Sequence, residues 1–322
     1  MRTSKIILTF LILAAMSLSG CDNINGQKKQ FTVGIINAGN NYKPFVVGFK
    51  DAMAAAGFKE DVNIKYLYEG PTPKDQVTNR LTFLEQQKID LLFSITTPVT
   101  IQAQKIFTDS KTPIVFAPVF SPVDAGLVNA ETRCGKNITG VMVRGSTAKS
   151  LGYLMECLPN LKTIFVPFHS SELPAQLTLK DLKKEADKFG INILTSDVSN
   201  NSSLEMALQN IPKQADAIWM THSRLIVENA PTIILAATKL KIPVISPASQ
   251  YRNGALLSYA PNPQSMGQQA GKIAAKVLNG IDASKIPVEQ AEYFLGINLV
   301  TARELGIEIR NDILREADFI KR

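Results

Sequence analysis

Two short apolar runs, at 91–95 (LLFSI) and 114–119 (IVFAPV), bracket a stretch that opens with Thr96-Thr97-Pro98 and reads as helix to about Phe107. Runs of this length without polar alternation are strands buried on both faces, the habit of parallel sheets. Pro98 suits a first helical turn, where its missing N–H costs nothing, and that makes Thr97 the expected N-cap. Strand, helix, strand is a crossover unit. Open sheets built from such units bind ligands beyond the carboxyl ends of their strands, near helix N-termini. Thr96, Thr97, Phe120 and Ser121 are therefore expected together at one sheet edge.

The same alternation fills the chain. Strands at 31–36 and 62–68 precede the pivot, each followed by a helix. The first helix starts at Pro44 and presents Phe45, Phe49, Ala52, Met53 and Ala56 at helical spacing. The second follows Thr72-Pro73 and presents Val77, Leu81 and Leu84. Later strands read at 138–143, 163–168, 191–195, 217–220, 242–245, 255–258 and 292–297. Helices lie between them: one at 147–158, and one after Pro174 with Leu179, Leu182, Ala186 and Phe189 inward. A capping box, Ser202-x-x-Glu205, opens the next, and another lies near 231–239. Asn262-Pro263 caps a helix with Met266, Ala270, Ile273, Ala274 and Val277 inward, and a short helix starts at Thr301. With 322 residues the chain exceeds what one compact core usually takes. Two doubly wound, Rossmann-like α/β lobes in tandem are expected.

Residues 1–20 read as an export leader: Arg2 and Lys5, an apolar stretch at 6–15, then small residues at 17–20. The apolar stretch is shorter than the ~20 residues that span a bilayer. Leu18-Ser19-Gly20-Cys21 resembles a bacterial lipobox, which implies cleavage before Cys21 and a diacylglycerol on its thiol. Asp22 resembles an inner-membrane retention signal, and residues 21–30 would form the lipidated Cys and a polar tether. No later segment is long and apolar enough to span a membrane. The net charge of +7 includes Arg2 and Lys5, and no basic run interleaves with aromatics, so nucleic acid is not an expected partner. Cys134 and Cys157 remain. An oxidising compartment permits a disulfide, and a strand at 138–143 with a helix returning from it can bring the two ends within bridging distance. Two inert thiols are the alternative.

Catalytic signatures are missing. The two histidines, His169 and His222, form no H-E-x-x-H motif. No Gly-x-Ser-x-Gly elbow, Walker loop or G-x-G-x-x-G after the first strand occurs, and the three cysteines lack zinc spacing. No catalytic residue, metal or cofactor is assigned, and the chain is expected not to be an enzyme.

Several segments carry a family resemblance: 90–98 (DLLFSITTP), 113–128 (PIVFAPVFSPVDAGLV), 137–141 (NITGV), 217–221, 242–246, 254–256, 267–280 and 286–289 (IPVE). In order and spacing they resemble the substrate-binding lipoproteins of ABC importers with the type I periplasmic-binding-protein fold, in the group associated with tryptophan and other aromatic amino acids. The resemblance implies discontinuous lobes, 31–143 with 261–284 and 144–260 with 285–322, joined by a hinge of three crossings. It implies a small organic ligand held between the lobes, which favours the closed form by touching both. It further implies a permease with a separate ATPase subunit, a lipid-anchored monomer, and the periplasmic face of the inner membrane. A ligand sensor that presents its closed form to a membrane receptor is the alternative use of the same cleft.

The chain also departs from that family. Ser121-Pro122 stands where Asp often precedes the Pro, and His222-Ser223 where an Asp-Asn pair is common. Pro167-Phe168-His169-Ser170 replaces an Asn-Pro-Gly-Glu-type loop. An acid able to hold an α-amino group is thus missing at two places. The expected cleft comprises Asn37, Asn40 and Tyr42 after the first strand, then Thr96, Thr97, Phe120 and Ser121. From the second lobe it takes Phe168, His169, Ser170, His222, Ser223, Arg224 and Ser246. The histidines are expected to hydrogen-bond a neutral or anionic ligand, and Tyr42, Phe120 and Phe168 to stack on an aromatic one.

Overall fold

The computed structural model describes residues 30–39, 42–132, 134–144 and 147–322. The leader, Cys21, nearly all of the tether and Asn40 lie outside the described residues. The elements β1 (Phe31–Ile36), α1 (Lys43–Ala55), β2 (Ile64–Leu67), α2 (Val77–Gln86), β3 (Leu91–Ser94), α3 (Thr97–Ile106), β4 (Ile114–Phe120) and β5 (Ile138–Val143) come first. They are followed by α4 (Thr147–Cys157), β6 (Thr163–Phe168), α5 (Leu173–Asp187), β7 (Asn192–Asp197), α6 (Asn201–Gln209), β8 (Ala217–Trp219), α7 (Arg224–Glu228), α8 (Ala230–Leu240), β9 (Val244–Ser246) and β10 (Leu257–Pro261). The chain ends with α9 (Pro263–Leu278), β11 (Glu289–Gln290), β12 (Tyr293–Asn298), α10 (Leu299–Glu304), α11 (Asn311–Glu316) and β13 (Phe319–Lys321).

These strands make two sheets. The first has the order β11-β5-β4-β3-β1-β2 and is parallel throughout. The second has the order β13-β12-β10-β9-β8-β6-β7 and is parallel except where β12 runs against β10. Each sheet is covered on both faces, which is why its central strands are apolar without alternation. In the first lobe α1 and α9 close one core, around Phe49, Phe93 and Ile273, while α2 and α3 close the other, around Leu81, Leu92 and Val99. In the second lobe one core gathers Leu154, Leu182 and Trp219 and the other Phe165, Leu204 and Ile233.

The chain passes between the lobes after Val143, between Pro261 and Pro263, and between Gln290 and Tyr293. The sequence puts the third passage at 285. The pairing of Glu289 with Val141 keeps the chain on the first sheet as far as Gln290. Two of the passages are tied together, since the Tyr293 hydroxyl donates to the Arg144 carbonyl at 2.9 Å.

Glycine lets α9 reach its place on α1. A β-carbon added at Gly48 would run into the Gln264 carbonyl, and one at Gly267 into the Phe45 carbonyl. At Gly271 it would lie 2.6 Å from the Phe49 carbonyl oxygen. The two backbones are therefore in direct contact, and this contact fastens the returning helix to the first lobe.

Several local expectations are corrected. Thr97 is the first residue of α3, and Thr96 is its N-cap. The cap of α6 is Asn200, whose side chain accepts from Ser203 N–H at 2.9 Å, while Ser203 Oγ accepts from Asn200 N–H at 3.1 Å. Phe189 is 57% exposed because α5 stops at Asp187, before the inward face comes round again. Ala56 is exposed just past the end of α1.

Of the two readings of the cysteines, the inert thiols hold and the disulfide does not. Cys134 and Cys157 are both buried free thiols. Cys134 belongs to the first lobe's core beside Leu127 and Ile138, and its Sγ donates to the Ile286 carbonyl at 3.2 Å. Cys157 belongs to the second lobe's core beside Leu154 and Ile164. The helix after β5 does not fold back on β5. It lies beyond the first passage and packs on the other sheet.

Candidate ligand-binding cleft

Two strand exits of the first lobe carry unusual backbone. Thr96 has φ 85° and ψ 149°, and Ser121 has φ 45°. A β-branched residue at positive φ is strained by roughly 1–3 kcal/mol, and such strain persists only where the surroundings hold it. Here the Thr96 carbonyl accepts both the amide and the hydroxyl of Thr100, at 3.0 and 2.8 Å. Thr97 Oγ1 accepts the Phe120 amide at 3.0 Å, fixing the exit of β3 against that of β4. Asn37 follows β1 at the same edge, where Ile36 accepts from the Ile95 amide at 3.0 Å. Asn37, Phe120 and Ser121 are all buried.

Facing them is the exit of β8. The Phe120 and His222 rings lie 5.2 Å apart, inclined at 54°, one from each lobe. His222 Nδ1 is 3.0 Å from Thr178 Oγ1 on α5, and Thr178 Oγ1 donates to the Pro174 carbonyl at 2.7 Å. Among the described residues His222 Nε2 has no partner, and it has no solvent access. Burial pushes the imidazole pKa down to about 4, so the ring is neutral at physiological pH. Ser223 is the N-cap of α7, yet its hydroxyl makes no cap bond and is also buried without a partner among the described residues. Glu172 takes the capping place instead, accepting the Arg224 amide at 2.9 Å.

The mouth of the cleft has a volume of about 330 Å³, walled by Ala38, Gly39, Tyr42 and 71–74 from the first lobe and by Arg224 and Glu228 from the second. Arg224 sits 3.7 Å from Glu228 on an exposed turn. Burial raises the pKa of the Tyr42 hydroxyl, and the charge of Glu228 across the cleft adds to the rise. Deeper in, a void of about 10 Å³ lies among Thr147, Ser150, Thr178, Trp219, His222, Ser246, Tyr259 and Tyr293. It has room for about one water, and hydroxyls dominate its polar lining. Burial raises the pKa of Tyr293 strongly.

The remaining predicted residues are spread differently. Ser246 reaches the inner void, and its Oγ accepts from Ala248 N–H at 3.2 Å. Phe168 packs on its own lobe's core. His169 is part-buried and bonds locally, its Nδ1 lying 3.1 Å from Ser171 Oγ. Ser170 is exposed, and its amide donates to Asp197 at 3.0 Å. Local bonds to Ser171, Asp197 and Gln176 hold the loop 168–170. Thr178, Glu172, Trp219, Tyr259 and Tyr293 escape sequence reasoning. Only Thr178 left a signal there, a hydroxyl among the inward positions of α5 beside Ala175, Leu179 and Leu182. Among the described residues no group of His, Cys, Asp and Glu is placed to hold a metal, and no helix is long and apolar enough to cross a membrane.

Comparison with known proteins bears on this cleft. The family model described as ABC transporter substrate binding protein matches residues 33–321. The tyrosine-binding protein of Clostridioides difficile is 28% identical, covering 100% of this chain and 94% of that protein. A solved structure of the ABC domain in complex with L-Trp from Streptococcus pneumoniae is 25% identical with a TM-score of 0.81, covering 91% of this chain and 100% of that one. The ligand-free, open structure of CD0873 from Clostridium difficile is 25% identical with a TM-score of 0.75, covering 91% and 99%. The two lobes and their three passages are those of a type I periplasmic binding protein. The chain belongs to the substrate-binding proteins of ABC transporters, an extracytoplasmic family of solute binders.

Proposed function

We propose that this protein captures an aromatic amino acid between its lobes, with L-tryptophan and L-tyrosine as first candidates, and passes it to a membrane permease driven by a separate ATPase subunit. The observation that carries this reading is the meeting of Phe120 and His222 at 5.2 Å across the cleft. A ligand touching both rings holds the lobes together, and an aromatic ligand finds flat partners there. Trp219 and Tyr259 at the inner void and Tyr42 at the mouth extend the same aromatic lining. The similarity to an L-Trp complex and to a tyrosine-binding protein supports the same class. Thr96, Thr97 and Ser121 stand where α3 begins and β4 ends, in reach of a ligand carboxylate. The leader and Cys21 support a lipid anchor on the outer face of the inner membrane, with the tether at 21–30 leaving the lobes free to close.

A thermal-shift series tests the reading with L-tryptophan, L-tyrosine, L-phenylalanine, nucleosides and sugars. A ligand at 100 times its Kd adds about 2.7 kcal/mol, a rise of a few degrees for a chain of this size. A rise with the aromatic amino acids alone is expected. No rise with them, or a rise only with sugars or nucleosides, overturns it.

A further inference from the structure

Among the described residues, three buried side-chain atoms at the two facing strand exits have no partner: His222 Nε2, Ser223 Oγ and Asn37 Oδ1. Their hydrogen-bonding sense follows from the neighbours. The Thr178 hydroxyl spends its single hydrogen on the Pro174 carbonyl, at 2.7 Å. It can therefore only accept from His222, which puts the ring proton on Nδ1 and leaves Nε2 as a bare lone pair. Asn37 is fixed in the same way. Its Nδ2 donates to the Gly39 carbonyl at 2.8 Å, so the unpartnered atom is the amide oxygen. Ser223 can accept as any hydroxyl does. The loop after Asn37 and the helix after Ser223 form opposite walls of one cleft, through Gly39 and Arg224.

We propose that these three uncharged acceptors form the subsite for a ligand's ammonium group, taking the place of a carboxylate, with His222 Nε2 as the residue that sets specificity for it. This rests on the amino-acid reading above and refines it. An ammonium carries three N–H donors and no acceptor, which matches the bare acceptors His222 Nε2 and Asn37 Oδ1, while the Ser223 hydroxyl can accept the third N–H and give its own hydrogen to the ligand's carboxylate. A buried carboxylate in this place would attract any cation, whereas neutral acceptors suit a zwitterion whose own carboxylate balances the charge. Sealed acceptors also reject a ligand that lacks the donor, because their lost hydration is then not replaced. The site is thus an acceptor site, which narrows the expectation of a neutral or anionic ligand at the histidines to a zwitterion at His222.

The test compares L-tryptophan with 3-indolepropionate, its analogue without the amino group, by calorimetry on the wild type, His222→Phe and Asn37→Leu. The wild type is expected to prefer L-tryptophan by roughly tenfold or more, and the preference to collapse in His222→Phe while the analogue still binds. An unchanged preference in His222→Phe overturns the subsite and leaves the proposed function standing. Binding of neither compound, nor of L-tyrosine or L-phenylalanine, to the wild type overturns the proposed function itself. A second measurement needs neither variant nor ligand. Long-range proton–nitrogen correlation at neutral pH is expected to show His222 protonated at Nδ1 only, and a proton on Nε2 overturns the proposal.

Discussion

The imidazole of His222 rests against the ring of Phe120 at 5.2 Å, although the two residues belong to different lobes. The contact closes the cleft from both sides. Phe120 is held by Thr97 at 3.0 Å and His222 by Thr178 at 3.0 Å, so each ring is positioned by a threonine of its own lobe. Substituting Phe120→Leu keeps most of the buried volume and is expected to cost less than about 1.5 kcal/mol of stability. Ligand affinity is expected to fall about tenfold with the lost ring contact. Urea unfolding and calorimetry on the same preparation check both numbers.

Protonation of His222 should be visible as a loss of stability in acid. Its folded pKa is lowered to about 4 by burial, below the ordinary value of 6.5. Between those values the unfolded chain binds a proton that the folded chain does not, so stability falls as pH drops from about 6.5 to about 4. Above that window His222 contributes no pH dependence. The loss amounts to at most about 3 kcal/mol. Carboxylates titrate nearby in pH, so the readout is the difference between wild type and His222→Phe in urea melts at several pH values. The wild type is expected to lose more than the variant across this window.

Two glycines on helices should respond in opposite directions. Gly267 faces the Phe45 carbonyl and leaves no space for a methyl group. Gly267→Ala is expected to destabilise by about 1–3 kcal/mol as α1 and α9 are forced apart. Gly152 on α4 has open space around its missing β-carbon. Gly152→Ala is expected to stabilise by about 0.5–1 kcal/mol through helix propensity alone. Thermal melts of the two variants check the signs.

Cys134 and Cys157 should be inert in the folded protein. Burial pushes the Cys157 thiol up to about 12 and also raises that of Cys134, so neither supplies thiolate at neutral pH. Alkylation followed by peptide mass mapping is expected to leave both unmodified under native conditions and to modify both in denaturant. A disulfide-linked peptide pair would contradict the placement of these residues in separate cores.

Much of the architecture was legible because it is local. Apolar runs without alternation mark strands such as β3 and β4, and helical spacing marks the faces of α1, α2 and α9. The Asn262 cap was read correctly, since it depends on neighbours two and three residues away, Gln264 and Ser265. The elements that escaped, β11, β13, α7 and α11, are too short to hold a period of their own. They exist because a neighbouring strand or turn offers them partners. Of the two readings of Cys134 and Cys157 the inert thiols hold, and the sequence could not choose between them because nothing local says on which sheet a helix will pack.

By itself, then, the sequence determined the repeating strand–helix units and so the sheet edges at which a cleft can form. It also put Asn37, Thr96, Thr97, Phe120, Ser121, His222 and Ser223 just past strand ends. Only the tertiary structure decided which of these face one another. It set Phe120 against His222 and left the loop of His169 and Ser170 to its own local bonds. It also turned a hydroxyl on α5 into the group that sets the tautomer of His222. Contacts between residues far apart in the chain depend on how two separate sheets are brought together by the hinge, and no spacing along the chain encodes that distance.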